Sequence, residues 1–242
     1  MSLFEIMNGI IESIRAELKV NADEKTKESI RRFFKEDVKA YGVKTPIVNK
    51  IAKKHWHHVK NFGKKEIFSI CEKLFCSGFM EEAFVASVWL PNMVEAFDSS
   101  DLATFKKWID LYVNNWAKCD SFCNHTVGEF VEKFPQSVKE IETWAQSSNR
   151  WLRRASAVSL ILPARKGNFF AQVIEISSTL LLDKDDLVQK GYGWLLKEAS
   201  RLHQTEVFDF VFKNRKIMPR TALRYAIELM PKDLKTKAME KT

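Results

Sequence analysis

The sequence predicts an all-α protein, and three observations support this fold class. Along nearly the whole chain, apolar residues recur at i, i+3, i+4 and i+7, which is the spacing of one helix face. No run alternates apolar and polar residues as a half-buried strand would. The 242 residues include only 8 Gly and 6 Pro, too few for the many tight turns of an all-β sandwich.

Apolar stripes and helix-breaking residues mark out the helices in order. The first stripe contains Phe4, Met7, Ile11, Ile14 and Leu18. Breaks or helix starts are expected at Asn21-Ala22-Asp23, Tyr41-Gly42, Thr45-Pro46, Pro163 and Pro231. Further stripes occupy Ser29–Phe34, Lys64–Phe75, Ala83–Phe97, Leu102–Val113, Thr126–Phe134, Val138–Trp144, Trp151–Leu162, Phe169–Leu182, Asp186–Arg201, Glu206–Phe212 and Thr221–Met230.

The amino-acid composition favours a globular protein over a membrane-spanning or secreted one. Hydrophobic residues make up 45% and charged residues 29% of the chain, the balance of a globular protein. The longest uncharged run, between Glu82 and Glu95, has twelve residues, whereas a membrane span needs roughly 18. Charges such as Glu5 and Arg15 interrupt the first apolar stripe and argue against a secretory signal. We therefore expect a single domain over residues 1–242, cytoplasmic as in bacteria and without membrane association.

A weak internal repeat refines the fold class. Residues 153–160 and 189–196 share an order of polar, basic, small and then apolar positions, at an offset of 190 − 154 = 36 residues. Two helices per period of roughly 35–40 residues are typical of HEAT-like repeats. The sequence thus predicts a right-handed superhelical solenoid of HEAT-like helical repeats. Asp120, Arg154 and Lys190 are one repeat apart and should line its concave, DNA-binding face.

One group of residues carries possible chemistry. Trp116 and Asp120 are four residues apart, hence neighbours on a helix face. Arg153 and Arg154 follow one repeat later, and Trp194 one repeat after that. Each has a structural alternative, because tryptophans on repeat helices usually belong to the core and an Asp near an Arg is usually an ion pair. The repeat register favours the functional interpretation, since it directs an acid, basic groups and two indoles to one groove.

The sequence resembles the DNA alkylation repair enzymes of AlkD type, which are alkylpurine DNA glycosylases built from HEAT-like repeats. The resemblance covers nearly the whole chain. It is carried by four short motifs in order: Tyr41-Gly42-Val43-Lys44-Thr45-Pro46, the pair Trp116 and Asp120, Trp151-Leu152-Arg153-Arg154, and Gln189-Lys190-Gly191-Tyr192-Gly193-Trp194.

The resemblance implies a function and a site. It implies hydrolysis of the N-glycosidic bond of cationic N3- or N7-alkylated purines (3-methyladenine, 7-methylguanine) in base-excision repair. It implies that Asp120 is the catalytic acid residue, that Trp116 and Trp194 flank it, and that Arg154 is the arginine of the site. The family tyrosine before the first loop is replaced here by Phe33, which lacks the hydroxyl. The resemblance also implies that the lesion is captured without flipping the base out of the duplex.

The physical chemistry suits this reaction. An alkylated purine cation is already a good leaving group, so the enzyme has only to stabilise the oxocarbenium-like sugar and admit water. An ionised Asp120 does this electrostatically, and a nearby Arg154 would lower its pKa. Each indole of Trp116 and Trp194 would attract the cationic base by roughly 0.5–2 kcal/mol. No cofactor is required.

A modest positive charge favours a DNA partner. The chain has 39 Lys and Arg against 31 Asp and Glu, a net charge of +8, and a pI near 9.2. Phosphate contacts are expected from basic residues, and Phe33 is placed on the same DNA-binding surface. The basic candidates are Lys44, Lys118, Arg153, Lys190, Arg215, Lys216, Arg220 and Arg224.

Other interpretations remain open. The run His55-Trp56-His57-His58 is expected to be a solvated helix end and no metal site, because consecutive histidines do not share a helix face. The four cysteines lack CxxC spacing and are expected to be reduced. A non-catalytic DNA-binding relative or a protein-interaction scaffold is the alternative function. A monomer acting on double-stranded DNA is expected.

Overall fold

The computed structural model describes residues 2–240, and every regular element in that range is a helix. The chain divides into two compact units, which we call unit 1, ending at Phe122, and unit 2, beginning at Cys123. No helix in the described range is long and apolar enough to cross a bilayer. The all-α class is confirmed, while the single domain, the handedness of the superhelix and its concave face stay predictions.

Unit 1 has two layers of helices. Its elements are α1 (Leu3–Val20), α2 (Glu24–Phe33), α3 (Thr45–Val59), α4 (Lys64–Cys76), α5 (Met80–Trp89), a 3₁₀ segment (Leu90–Ala96), α6 (Asp101–Tyr112) and α7 (Trp116–Phe122). In one layer α4 packs between α1 and α6, and in the other α5 packs between α3 and α7. The layers meet where α1 contacts α3 and where α4 contacts α5.

Unit 2 repeats this arrangement. Its elements are a π-helical turn (Cys123–Val127), α8 (Gly128–Lys133), a 3₁₀ turn (Pro135–Ser137), α9 (Val138–Trp144), α10 (Arg150–Val158), α11 (Ile161–Arg165), α12 (Phe170–Thr179), α13 (Asp186–Ala199), α14 (Gln204–Asn214), α15 (Arg220–Ala226) and α16 (Lys232–Met239). A row forms in which α13 packs between α10 and α15. The partner helices α9, α12 and α14 pack against α10, α13 and α15, respectively.

The repeat is visible in polar contacts between equivalent helices. The Trp89 indole N–H donates to the carbonyl of Ala52, 37 residues earlier, at 2.7 Å. In unit 2 the Arg154 guanidinium donates to the carbonyl of Leu187, 33 residues later. These separations match the period found in the sequence, so the packing of helical repeats is confirmed within each unit.

Some expected helices are divided or shifted. The stripe Ala83–Phe97 leaves α-helical geometry after Trp89 because Pro91 follows in the first turn of the 3₁₀ segment. The stripe Trp151–Leu162 is divided between α10 and α11, with Pro163 inside the first turn of α11. Phe4, expected on the buried face of α1, is 63% exposed in the first turn of the helix, where the Lys73 ammonium of α4 lies 4.8 Å from the centre of its ring.

Candidate functional site

Helix α7 carries the first pair of candidate residues. The Asn115 side chain accepts a hydrogen bond from the amide of Lys118 at 3.0 Å and so caps the start of the helix. Ala117, Cys119 and Phe122 on the inner side are buried. Trp116 and Asp120 are both only partly buried. The helix therefore presents an indole and a carboxylate one turn apart on its accessible side.

Two phenylalanines surround Trp116. The Phe34 ring stacks on the indole at a centroid distance of 5.3 Å and an interplanar angle of 20°. The Phe33 ring meets the same indole edge-on at 5.9 Å and 67°. Phe33 is 69% exposed, whereas Phe34 packs partly into the core. We call these three rings the aromatic cluster, and its exposed member is the residue expected to contact DNA.

The segment after α2, residues 34–44, is fixed by a buried carboxylate. Glu81, at the start of α5, is fully buried and accepts backbone N–H bonds from Tyr41, Gly42 and Val43 at 2.9–3.1 Å. Gly42 has φ +92°, and a Cβ there would lie 2.6 Å from the carbonyl oxygen of Asp23. The Tyr-Gly-Val part of the first family motif thus builds an anion-binding turn around Glu81.

A second buried acid ties the same segment to α1. The Tyr41 hydroxyl donates to Glu82 at 2.7 Å, and Arg15 forms an ion pair with Glu82 at 3.1 Å. Burial, followed by the hydrogen bond to Glu82, raises the pKa of Tyr41. The Tyr41 ring also stacks on Phe79 at 4.0 Å. These contacts hold the segment that ends at α3 and keep Lys44 exposed at its start.

Lys118 corrects one expected DNA contact. Its side chain is 0% exposed, and its ammonium donates to the carbonyl of Gly78 at 2.8 Å. Phosphate oxygens therefore have no access to it, and Lys118 links α7 to the turn before α5 instead. Burial lowers the pKa of Lys118 to about 8, although the charges of Glu81 and Glu82 partly oppose this shift.

The stability of the protein should depend on Lys118 at alkaline pH. The folded-state pKa of about 8 lies below the ordinary value of 10.5. Between these values the unfolded chain binds more protons than the folded chain, so the unfolding free energy rises with pH. We expect Lys118 to contribute a rise of up to about 3 kcal/mol between pH 8 and 10.5.

Urea unfolding of the wild type and of Lys118→Met across this window measures the effect. Subtracting the two pH profiles removes the titration of other groups, such as Tyr41. The buried methionine avoids the cost of desolvating a charge, so the variant should be relatively most stable at pH 7. Parallel profiles for the two proteins would show that Lys118 does not titrate in this window.

In unit 2, Arg154 lies under the surface and not on it. Only 4% of it is exposed, and its guanidinium donates to the carbonyl of Leu187 in the first turn of α13. Gly191, one turn further along α13, packs directly against this side chain, and a Cβ there would lie in ordinary van der Waals contact with the Arg154 Nη1 atom at 3.5 Å. Arg154 therefore supports the helix that carries Trp194.

Trp194 occupies the accessible side of α13. It is partly buried, whereas Tyr192, Leu195 and Leu196 on the other side are 0% exposed. Gly193 allows α15 to approach closely, since a Cβ there would lie 2.8 Å from the carbonyl oxygen of Ala222. Lys190 lies one turn before Trp194 and forms an ion pair with Asp186 at 3.3 Å.

The remaining basic residues expected to bind DNA differ in whether their charged groups are exposed or already hydrogen-bonded. Arg153 has its guanidinium engaged, because it donates to Asp183 at 2.6 Å and to the carbonyl of Ser147 at 2.9 Å. Arg215 lies over the Phe212 ring at 3.8 Å and donates to the carbonyl of the same residue. The exposed candidates are Lys44, Lys216, Arg220 and Arg224.

The histidine run is a solvated helix end at His57 and His58, which are exposed in the last turn of α3, but not at His55. His55 is 3% exposed, and its ring nitrogen lies 2.9 Å from a carboxylate oxygen of Glu17 on α1. Sequence spacing could not reveal this partner, because it is 38 residues away. Within residues 2–240, no group of three or more His, Cys, Asp or Glu side chains is arranged to hold a metal ion.

Each unit therefore brings together part of the expected site. Unit 1 holds Trp116, Asp120 and Phe33, and unit 2 holds Arg154, Lys190 and Trp194.

The sequence did not predict a role for Phe34 or for the two buried glutamates, Glu81 and Glu82. A signal for the glutamates was present, since Glu81-Glu82 interrupts an otherwise apolar stretch from Phe79 to Trp89. These features define an all-helical repeat protein with a partly accessible indole and carboxylate on one short helix.

Comparison with known proteins identifies the family. The profile of the DNA alkylation repair enzymes matches residues 14–230. The chain therefore belongs to the DNA alkylation repair enzyme family. No curated protein sequence matches it.

Solved structures agree on the fold. A predicted DNA alkylation repair enzyme from Enterococcus faecalis superposes with a TM-score of 0.79 at 15% identity, over 88% of this chain and 98% of that one. The protein smu.31 from Streptococcus mutans UA159 gives 0.58 at 18% identity, over 76% and 92%. The alkylpurine DNA glycosylase AlkC of Pseudomonas fluorescens, bound to DNA containing an abasic-site analogue, gives 0.53 at 16% identity, over 98% and 67%.

Proposed function

We propose that this protein is an alkylpurine DNA glycosylase that releases cationic N3- and N7-alkylated purines from double-stranded DNA in base-excision repair. The observation that carries the proposal is the partly accessible pair of Trp116 and Asp120 on α7 in a chain of this repair family. A protein-interaction scaffold has no need of this pair. We further propose that it acts as a cytoplasmic monomer.

Asp120 is assigned the central role. The bond between C1′ and the purine nitrogen breaks, and its electron pair neutralises the cationic base. Water then adds to C1′ and gives up a proton, which the Asp120 carboxylate can accept. While the bond breaks, the ionised carboxylate stabilises the positive charge that develops on the sugar. The purine needs no protonation, so one acid residue suffices.

Trp116 and Trp194 are assigned to binding the cationic base. An indole face attracts a cation more strongly when water is excluded. Neither tryptophan is fully buried, so part of each indole remains accessible, although Trp116 also packs against buried residues of unit 1. A partly open aromatic surface suits a lesion that stays in the duplex, because it does not require the base to enter a deep pocket. We assign Arg154 to positioning α13 through its bond to Leu187.

Release of free base from alkylated DNA tests the proposal. Duplex DNA treated with a methylating agent would be incubated with the wild-type protein, and free 3-methyladenine and 7-methylguanine would be quantified by mass spectrometry. We expect both bases to be released and abasic sites to accumulate at an equal rate. Binding without release would identify a non-catalytic DNA-binding relative, and neither binding nor release would favour a scaffold.

The exposed basic side chains should govern how salt affects DNA binding. Lys216 is exposed and makes no ion pair within residues 2–240. Each lost phosphate contact lowers the slope of log K against log salt by about 0.9. We therefore expect Lys216→Gln to weaken binding to all duplex sequences alike and to reduce the slope by about one.

Lys19→Gln is the matched control, because Lys19 is also exposed but ends α1 and is no candidate for DNA binding. Fluorescence anisotropy with unmodified duplex DNA between 50 and 200 mM salt, the range over which phosphate contacts are felt, measures both slopes. Equal slopes for the two variants would remove Lys216 from the DNA-binding surface.

A further inference from the structure

Phe34 covers one face of Trp116. The two rings are nearly parallel, with an interplanar angle of 20° and centroids 5.3 Å apart. The indole therefore cannot receive a purine on that face while Phe34 remains in place. Phe33 stands edge-on to both rings and is mostly exposed. Because Trp116 is only partly buried, a planar cation can approach its indole only away from the face that Phe34 covers.

The Phe34 ring is itself held in place by buried residues. It packs against a buried cluster that comprises Val38, Ala40, Met80 and Ala117. Ala117 directly follows Trp116 on α7, so the cluster supports both members of the stack. Close-packed groups of this kind resist displacement, since moving one ring would open a void beside the others. The stack is therefore a fixed element of unit 1 and not a chance contact between two surface rings.

The backbone on both sides of the stack is tied to the start of α5. The amide of Met80 donates to the carbonyl of Lys39 at 2.9 Å, which joins the Phe34 segment to α5. The buried ammonium of Lys118 donates to the carbonyl of Gly78 at 2.8 Å, which joins α7 to the same place. The Glu81 carboxylate holds the amides of Tyr41 to Val43. These bonds set the distance between the Phe34 segment and α7.

We propose that Phe34 is a positioning residue, which fixes the plane of the Trp116 indole and leaves a single indole face for the cationic purine. This inference rests on the proposed glycosylase function and deepens it. Preorganising the indole matters because a ring that must first be ordered loses part of the attraction it offers to the lesion. Phe34 should act mainly on the rate of base release and little on general DNA affinity, since it is partly buried and its ring contacts within residues 2–240 are with Phe33 and Trp116 and not with the basic candidates.

The test compares Phe34→Leu with Phe84→Leu. Both residues are partly buried phenylalanines packed against the same cluster, but within residues 2–240 Phe84 makes no ring contact with Trp116. Both variants should therefore lose similar stability. We expect Phe34→Leu to lower the single-turnover rate of 7-methylguanine release by roughly tenfold, the upper end for one aromatic pair, with unchanged affinity for unmodified duplex. Phe34→Tyr, which retains the ring, should restore the rate.

A spectroscopic measurement reports on the indole without any reaction. The near-ultraviolet circular dichroism of Trp116 is obtained as the difference between a protein and its Trp116→Phe counterpart. This difference spectrum should weaken in the Phe34→Leu background and persist in the Phe84→Leu background. An unaltered spectrum in the Phe34→Leu background would overturn the positioning role.

The outcomes separate the two proposals. If the wild type releases no base, the proposed function fails, and the role of Phe34 in the reaction fails with it. If the wild type is active and both leucine variants release base at equal rates, only the inference about Phe34 is overturned. A rate loss confined to Phe34→Leu and reversed in Phe34→Tyr supports it.

Discussion

Asp120→Asn should abolish most base release while leaving the protein folded and bound to DNA. The amide is nearly the same size as the carboxylate, so α7 should form as before. It carries no negative charge to stabilise the sugar cation and is a poor acceptor for the proton of water. Removing one preorganised electrostatic group from an active site typically costs about 100- to 1,000-fold in rate. We expect a loss of that size for both 3-methyladenine and 7-methylguanine.

The affinity of Asp120→Asn for duplex DNA should not fall together with its rate of base release. Removing a negative charge from the surface proposed to face DNA lowers its repulsion of phosphates, so Asp120→Asn should bind duplex DNA at least as tightly as the wild type. Asp209→Asn is the control, because Asp209 is an exposed aspartate on α14 with no assigned role. Single-turnover release and anisotropy, measured on the same preparations, give both quantities. A release rate within threefold of the control would move the catalytic role to another residue.

The fold could be predicted because helical periodicity is a local property. The spacing of Met7, Ile11, Ile14 and Leu18 predicts which side of α1 is buried. All four residues are buried in the structure. Gly193 allows close packing of α13 against α15 without altering the apolar period. Boundaries were less predictable where a proline allowed one stripe to continue in a new helix, as at Pro91.

The candidate site could be predicted only in part, because burial of a charge depends on partners that are distant in sequence. Lys118 follows Trp116 by two residues and resembles any basic residue of a DNA-binding helix. Its acceptor, the carbonyl of Gly78, is 40 residues away. Arg153 similarly engages Asp183, 30 residues away. A local pattern identifies a basic residue, but it does not show whether a partner elsewhere already holds it.

Phe34 shows a second reason why the sequence predicted the candidate site only in part. The sequence predicts a DNA contact for its neighbour Phe33, whereas Phe34 makes the parallel stack with Trp116. Phe34 is the C-cap of α2: its amide still donates to the carbonyl of Ile30, and its ψ of 139° directs the chain out of the helix after it. Consecutive residues at a helix end point in different directions, and periodicity alone does not show which of the two phenylalanines reaches a ring on another helix.

The largest effect on stability should come from Glu81→Ala. The substitution removes the carboxylate that accepts hydrogen bonds from three successive backbone amides. Glu81 is 0% exposed, so water does not readily replace this acceptor. Buried donors without partners cost about 1–3 kcal/mol each when water cannot reach them. Partial relaxation of residues 41–43 toward solvent reduces the sum, so we expect a loss of about 3–5 kcal/mol in unfolding free energy. The cavity left by the missing side chain acts in the same direction.

Glu28→Ala is the matched control, because Glu28 is exposed on α2 and its one ion pair within residues 2–240 is with Arg32 at 3.3 Å. Surface ion pairs of that kind contribute well under about 1 kcal/mol. Urea unfolding compares the two variants, and amide hydrogen exchange at residues 41–43 locates the change. A Glu81→Ala protein as stable as the control, with residues 41–43 still protected, would show that these amides do not depend on Glu81.

The same substitution connects stability with function. Glu81 holds the segment that carries Phe34, so loosening this segment should release the stack on Trp116 even when the rest of unit 1 stays folded. Under conditions where Glu81→Ala is folded, we expect it to reduce base release about as much as Phe34→Leu does, and Glu28→Ala to retain the wild-type rate. Combining Glu81→Ala with Phe34→Leu should then cost little more than either alone, because residues that act through one contact are not additive. Additive losses in the double variant would show that the carboxylate and the ring act on Trp116 by separate routes.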